Sequence, residues 1–313
     1  MAKFKMIKEI NEIFKNSPFK IILRTNNKNL WNKSLDEIDY VPVFYTNEYL
    51  DFHQEVLNSS GVKSLDISFV FTLQNKILGN WPLSINLEGD KQFIKTFSLP
   101  VLCPLFSNSI NRNLKKKLFK ETIRIINEIN IICNDELEFR HSFLNSLKLN
   151  YWYIKSLKFV KKNIIEYELF LKINKKFDEI SKNFRKGTRS GIKQSESLWN
   201  IEIISKKNDK AWKEFRNLHF LASGRITRSE KSWKIQYENL INGSSFLITL
   251  RNKDKKMVGG GFFSCSRDEC EYSTAAYDRR LFDKPIGHVV QKIAIKEMIN
   301  RKIKWYRIGI KAL

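Results

Sequence analysis

The chain has 313 residues, with 56 Lys+Arg against 33 Asp+Glu and a formal charge of +23. Its hydrophobic content of 42% and aromatic content of 13% supply a sizeable core and exclude a disordered chain, and no run approaches the roughly 18 apolar residues of a membrane span. At about 150 residues per domain, the length predicts two domains or one large one.

The N-terminal stretch MAKFKMIKEINEIF reads as a charged amphipathic helix without an apolar h-region or cleavage site, so no secretory signal is expected. A strand-like pair, Leu65–Leu73 and Ile77–Leu87, follows a helix around Asn47 to Asn58 that ends at Gly61. A third such segment, Gln92–Ser98, leads into an apolar loop, Leu99–Phe106. A long helix is expected from about Asn111 to Asn130, with Leu114, Leu118, Ile125 and Ile129 on one side. A strand-like run, Asn163–Ile173, closes this half. The pattern from Lys175 to Trp199 is helical, with Phe177, Ile180, Phe184, Ile192 and Trp199 as its apolar side. Lys182, Arg185, Lys186, Arg189 and Lys193 recur on another face at helical spacing. Two readings stand: a solvated face, or contact with an anionic partner such as tRNA, a glycan or a membrane surface.

In the second half, Ile201–Ser205 alternates like a strand. Asn208 caps a helix carrying Trp212, Phe215, His219 and Ala222, stopped at Gly224. Thr227 and Glu230 form a T-x-x-E capping box for a helix that buries Trp233, Tyr237, Leu240 and Ile241. The punctuation then turns to β: Phe246–Leu250, Met257–Cys265 and Cys270–Ala276, joined by polar turns. A loop from Tyr277 to Pro285 enters a helix with Ile286, Val289, Val290, Ile293, Ala294 and Met298 at the 3.6 period, and Lys304–Ile308 resumes a strand. The triplet Gly259–Gly261 is followed by no helix, which points to close backbone approach or a bulge and not to a nucleotide loop.

Cys103, Cys133, Cys265 and Cys270 lack CxxC spacing, and His53, His141, His219 and His288 are scattered, so no metal is expected and a reducing, cytoplasmic location fits. Cys265 and Cys270 flank a turn as reduced packing residues. The surplus of Lys, together with Asn and Ile, has two sources: low-GC coding, or attraction to nucleic acid, anionic lipid or acidic sugar.

The strand–loop–helix–strand from Ala276 to Trp305 is a β-α-β crossover, which joins parallel strands and opens a ligand crevice at the helix start. That start is Lys284-Pro-Ile-Gly-His-Val289. Pro285 suits the first turn, Gly287 leaves the free amides accessible to a phosphate, and Lys284 adds a point charge. Backbone approach is also open along Ser273-Thr-Ala-Ala276, and the Arg225 and Arg228 guanidinium forks suit carboxylate or phosphate.

The order hairpin, strand, loop, helix, strand, with Ser181–Lys193, Gly243–Ile248, Val258–Gly261, Tyr272–Ala276, Lys284–His288 and Trp305–Gly309, resembles the GNAT acyltransferase superfamily in its Fem-type (FemAB-like) branch. The resemblance covers about residues 160–313; for the first half it rests on element order. It implies an α/β (α+β) fold, a mixed sheet flanked by helices, as two tandem GNAT-like domains over residues 1–160 and 161–313, with a further strand pair expected past Leu313. It implies donor contacts from Thr274, Ala275, Ala276, Lys284, Ile286, Gly287, His288 and Val289, with Tyr277 as acid and Asp278 as base. Acceptor contacts fall to His219, Arg225 and Arg228. In GNAT enzymes the loop reads Gln/Arg-x-x-Gly-x-Gly/Ala, whereas here Lys284 and Val289 replace the first and last positions. The helical arm of several tRNA-using members is not expected, since Ile201–Phe246 holds two ordinary helices. The implied activity moves an acyl or aminoacyl group, from an acyl-CoA donor, to an amine of a cell-envelope or surface-glycan precursor, in the cytoplasm or peripherally at the inner membrane face. The alternatives are an aminoacyl-tRNA-dependent peptidyltransferase and a non-catalytic binder of nucleic acid or anionic polymer.

Overall fold

The computed structural model describes residues 2–134, 136–141, 151–158, 162, 164 and 166–311. The chain divides into two units, Met1–Tyr40 with Tyr45–Ile164, and Val41–Phe44 with Ile165–Leu313. The expected boundary at 160/161 lies outside the described residues, as do Asn163 and Ile165 of the strand-like run.

The first unit holds α1 (Ala2–Lys15), β1 (Lys20–Leu23), α2 (Lys28–Asp36), α3 (Asn47–Ser59), β2 (Lys63–Asp66), β3 (Phe69–Leu73), β4 (Lys76–Trp81), β5 (Ser84–Glu88), β6 (Lys91–Lys95), β7 (Val101–Leu102), β8 (Leu105–Phe106), α4 (Arg112–Cys133), β9 (Phe139–Arg140) and α5 (Tyr151–Ser156). Its sheets run β1-β3-β4-β8, β2-β5-β6 and β7-β9. The two long strand-like runs each break in two. Ser68 turns the first, its N–H bonding the Asp66 carboxylate, and Pro82 ends the second because it has no N–H for a ladder. The apolar loop forms β7 and β8, and Val101, Leu102 and Phe106 are core. Phe69, Phe71, Trp81 and Trp152 centre that core, with Trp81 edge-on to Trp152.

The second unit holds β10 (Tyr167–Lys172), α6 (Phe177–Ser181), α7 (Lys186–Leu198), β11 (Asn200–Ile204), α8 (Asp209–Ser223), α9 (Glu230–Ile241), β12 (Ser245–Arg251), β13 (Met257–Cys265), β14 (Glu269–Tyr277), α10 (Ile286–Asn300) and β15 (Trp305–Lys311). These strands form one sheet, β10-β15-β14-β13-β12-β11, antiparallel throughout except for the parallel pair β14–β15 around α10. Alternation along β12 sends Phe246, Ile248 and Leu250 to one face, under α10, and Leu247 to the other, under α8 and α9. Among the described residues no helix is long and apolar enough to cross a membrane.

Three local expectations change. The helix expected over Lys175–Trp199 is two helices, because Lys182 caps α6 and Arg185 opens α7 with an extended backbone. The cap of α9 is Ser229, whose Oγ accepts from the Ser232 N–H, and not Thr227; Glu230 therefore sits in the first turn, where its charge favours the helix dipole. Ile241 is exposed, and Gln236 is buried on the same helix.

Candidate functional site

The site is built where β14 leaves its neighbour. Parallel pairing between β14 and β15 covers only Glu269↔Trp305, Cys270↔Tyr306 and Glu271↔Arg307. Both strands then bulge. On β14, Thr274 pairs with Phe262 and Tyr272 with Phe263, so Ser273 is the extra residue; its Oγ bonds the Ser264 Oγ at 2.8 Å. On β15, Ile308 is skipped between Gly309↔Leu169 and Arg307↔Phe170. A bulge bends its strand and raises the local twist, and here two bulges at one level drive the strands apart. Among the described residues, β14 has no partner strand on that side from Tyr272 to Tyr277.

The Asp278 N–H donates to Val258 O, on the β13 side. Because N–H directions alternate along a strand, the amides of Tyr277 and Ala275 face the gap, and those of Ala276 and Thr274 face β13. The expected contact by Thr274 and Ala276 amides therefore moves to Ala275 and Tyr277. Thr274 instead offers its Oγ1 to the buried Gln236 Nε2 at 3.2 Å.

The glycines of β13 make room for two tyrosines. A Cβ at Gly259 would lie 2.8 Å from the Tyr277 ring, and one at Gly261 2.6 Å from the Tyr272 ring. Lying flat across the strand, the two phenols meet at 2.6 Å. Burial pushes the Tyr272 phenol up to about 12 and pushes Tyr277 well up, with the neighbouring Tyr272 adding to it. Burial thus favours the protonated phenol of Tyr277. Asp278 caps the 3-10 turn Arg279–Leu281, and its carboxylate accepts from the Arg280 N–H and guanidinium, which hold its pKa below the usual range.

Opposite the gap stands the start of α10. A Cβ on Gly287 would meet only the Tyr277 hydroxyl, at 4.0 Å, so its backbone is approachable. Lys284 and His288 are exposed. Ile286 and Val289 are core residues, which restricts them to offering amides. His288 and Pro285 border Gly191 of α7, whose Cβ would lie 3.3–3.4 Å from them, and Ser195 Oγ donates to Pro285 O. Lys186, Arg189 and Lys193 of α7 are exposed, and their helical spacing from Gly191 and Ser195 turns them away from this contact. Lys182 and Arg185 lie in the connection before α7, where Arg189 Nη1 bonds Lys182 O at 3.0 Å, so the five cations form no single stripe.

Of the acceptor candidates, two converge on Trp233. Arg228 lies over the ring at 5.1 Å, His219 stands edge-on to it at 5.1 Å, and Arg216 adds a third polar contact at 5.7 Å. Arg228 Nη1 donates to Gln236 Oε1 at 2.8 Å, so Arg228, Gln236 and Thr274 form a chain that ends on β14. Burial lowers Arg228 to about 10; burial and then the Arg228 charge lower His219, leaving a neutral imidazole. Arg225 is exposed and joins no part of this chain. A cavity of about 290 Å³ lies alongside, lined by Asp209, Trp212, Lys213, Arg216, Asn217 and Tyr237. Gln236 and Tyr272 escaped sequence reasoning: a lone Gln on a helix and a strand Tyr carry no spacing signal.

No protein-family model and no curated sequence matches the chain. Solved structures do resemble it. "Crystal structure of FemX" aligns with a TM-score of 0.62 at 11% identity, over 90% of this chain and 87% of that one. L-PGS from Bacillus licheniformis aligns at 0.51 and 9%, over 84% and 76% of the two chains. The C-terminal domain (DUF2156) of a putative lysylphosphatidylglycerol synthetase from Agrobacterium fabrum aligns at 0.52 and 8%, over 92% and 80%. With a splayed parallel pair around the α10 crossover, and alignments that run through both units, the chain has the same fold as FemX and these two structures.

Proposed function

We propose that the chain is a transferase that moves an acyl or aminoacyl group from an activated donor to an amine, the amine belonging to a cell-envelope or surface-glycan precursor. The observation that supports this reading is the gap between β14 and β15, with the amides of Ala275 and Tyr277 on one side and the start of α10 on the other. A donor carbonyl in the gap is attacked by the free amine. Its developing oxyanion is met by strand amides, the leaving sulfur or oxygen takes the Tyr277 phenolic proton, and the proton lost by the attacking nitrogen restores the phenol. Phosphates of an acyl-CoA fit Gly287 and Lys284 at the α10 start. The His219–Arg228–Trp233 cluster serves the acceptor, tied to β14 through Gln236.

The second reading, an aminoacyl-tRNA donor, is favoured by the exposed cations Lys186, Arg189 and Lys193 of α7, the helix that packs on the α10 start through Gly191 and Ser195. One experiment separates the cases. Thermal unfolding is followed with acetyl-CoA, and the purified protein is assayed for RNase-sensitive tRNA. A rise in Tm with acetyl-CoA supports the first donor, and copurified tRNA with aminoacyl transfer supports the second. Salt-dependent RNA binding with neither stabilisation nor transfer would reject the enzyme in favour of a binder of anionic polymer.

A further inference from the structure

Two connections of the second unit present apolar side chains to solvent among cations. The α8–α9 connection and the last turn of α8 expose Phe220 (50%), Leu221 (71%) and Ile226 (82%). Arg225, also exposed, adjoins Ile226. The connection between β14 and α10 exposes Phe282 (63%), between Arg279, Arg280 and Lys284. Asp278 pairs with Arg280, so Arg279 and Lys284 supply most of the positive charge of this second tip, against Asp283.

The two tips lie at one end of the sheet. β12 begins at Ser245 opposite Ser264, near the β13–β14 turn, so α9, which leads into it, starts toward the other end. That other end is where β14 finishes at Tyr277 and the second connection leaves. The Arg228–Gln236–Thr274 chain ties the α9 start to the same part of β14.

From this arrangement the geometry points to an anionic lipid surface as the partner of this end of the molecule. Ile226, Leu221 and Phe282 enter the acyl boundary, and Arg225 and Arg279 bind headgroup phosphates. Isolated aliphatic and aromatic tips on two separate connections, each beside long cations, match the interfacial pattern of an apolar tip under a charged collar. Nucleic acid takes exposed Ile and Leu only as wedges between unstacked bases, and a protein partner calls for a continuous apolar patch. The net charge of +23 adds long-range attraction to an anionic surface. This inference rests on no catalytic assignment.

The test is cosedimentation of the full chain with phosphatidylcholine vesicles, with and without phosphatidylglycerol. Binding is expected only to the anionic vesicles, weakening as salt rises. Leu221→Asp with Ile226→Asp, and separately Phe282→Ser, are expected to lower the partition coefficient by roughly tenfold or more. Ile131→Asp, at an 81% exposed position of α4 in the other unit, is expected to leave it unchanged. Circular dichroism and Tm of each variant confirm folding. Absence of binding to anionic vesicles overturns the proposal, as does binding that the tip variants leave intact or that Ile131→Asp lowers equally. If the tip variants instead convert a dimer to a monomer, the face is a self-interface and the lipid assignment falls.

Discussion

Replacing Tyr277 by Phe removes one hydroxyl and keeps the ring that fills the space above Gly259. Under the proposed mechanism, transfer should fall by about 10²–10³-fold with little change in Tm, measured as initial rate with a fixed donor. Tyr272→Phe should cost less, since Tyr272 only shares the 2.6 Å hydrogen bond. Gly287→Glu tests the other wall. The position has room for a side chain, so the fold should survive, while the added carboxylate repels phosphate; the donor-induced rise in Tm should disappear. Gly261→Ala is the steric contrast. Its Cβ would meet the Tyr272 ring at 2.6 Å and Val290 at 3.0 Å, and overpacking of this kind costs about 1–3 kcal/mol, read as a lowered denaturant midpoint.

At the scale of elements, the gap depends on one extra residue in β14. Deleting Ser273 removes the bulge and keeps the alternation of Thr274–Tyr277 relative to β13. The strand should then run beside β15 for longer, with donor binding lost and the circular dichroism spectrum retained; donor binding that survives would remove the bulge from the account. The caps behave more simply. Ser229→Ala should lower stability by about 1 kcal/mol, whereas Thr227→Ala should do nearly nothing, because Ser229 makes the bond. T-x-x-E at Thr227 has the spacing of a capping box, whereas Ser229-x-x-Ser232 lacks the acidic partner and is silent as a motif. The break between α6 and α7 was equally silent, since the cations and apolar residues of 175–199 keep helical spacing across it.

For the whole molecule, two histidines set the response to acid. Burial lowers His141 to about 4 from 6.5 and lowers His219 also, its neighbour Arg228 adding to the effect. Each has a folded pKa below its unfolded one, so below about 6.5 the unfolded chain binds more protons than the folded chain. Stability should therefore fall as pH drops from about 6.5 toward 4, and His141→Gln should flatten the Tm–pH curve over that interval. In the second unit a buried ion pair sits where the two strands still touch. Arg307 donates to Glu269 and Glu168, and lies over Phe44 and Phe170. Arg307→Met removes the buried guanidinium that neutralises Glu269, to which the neutral Val43 N–H also donates, and should cost about 3–5 kcal/mol.

Alternation, caps and turn residues are local signals, and they were enough to place the hairpin β12–β13–β14, the α10 crossover with Gly287 at its start, and the GNAT-type order of the second half. Each depends on neighbours within a few residues, where periodicity and capping operate. The splay of β14 from its neighbour near Thr274–Ala276 was implied by the resemblance, but its cause was not legible, because a bulge at Ser273 exists only relative to the register of Phe262 and Phe263. Nor was the grouping of His219 and Arg228 with Gln236 and Thr274, which are up to 55 positions apart and meet only once α8, α9 and β14 are packed. For Asp278 the sequence left base and cap both open, and the packed turn supplies the cap and the Arg280 partner. Spacing along the chain decides which elements form, and packing across the sheet decides which side chains share a proton or a charge.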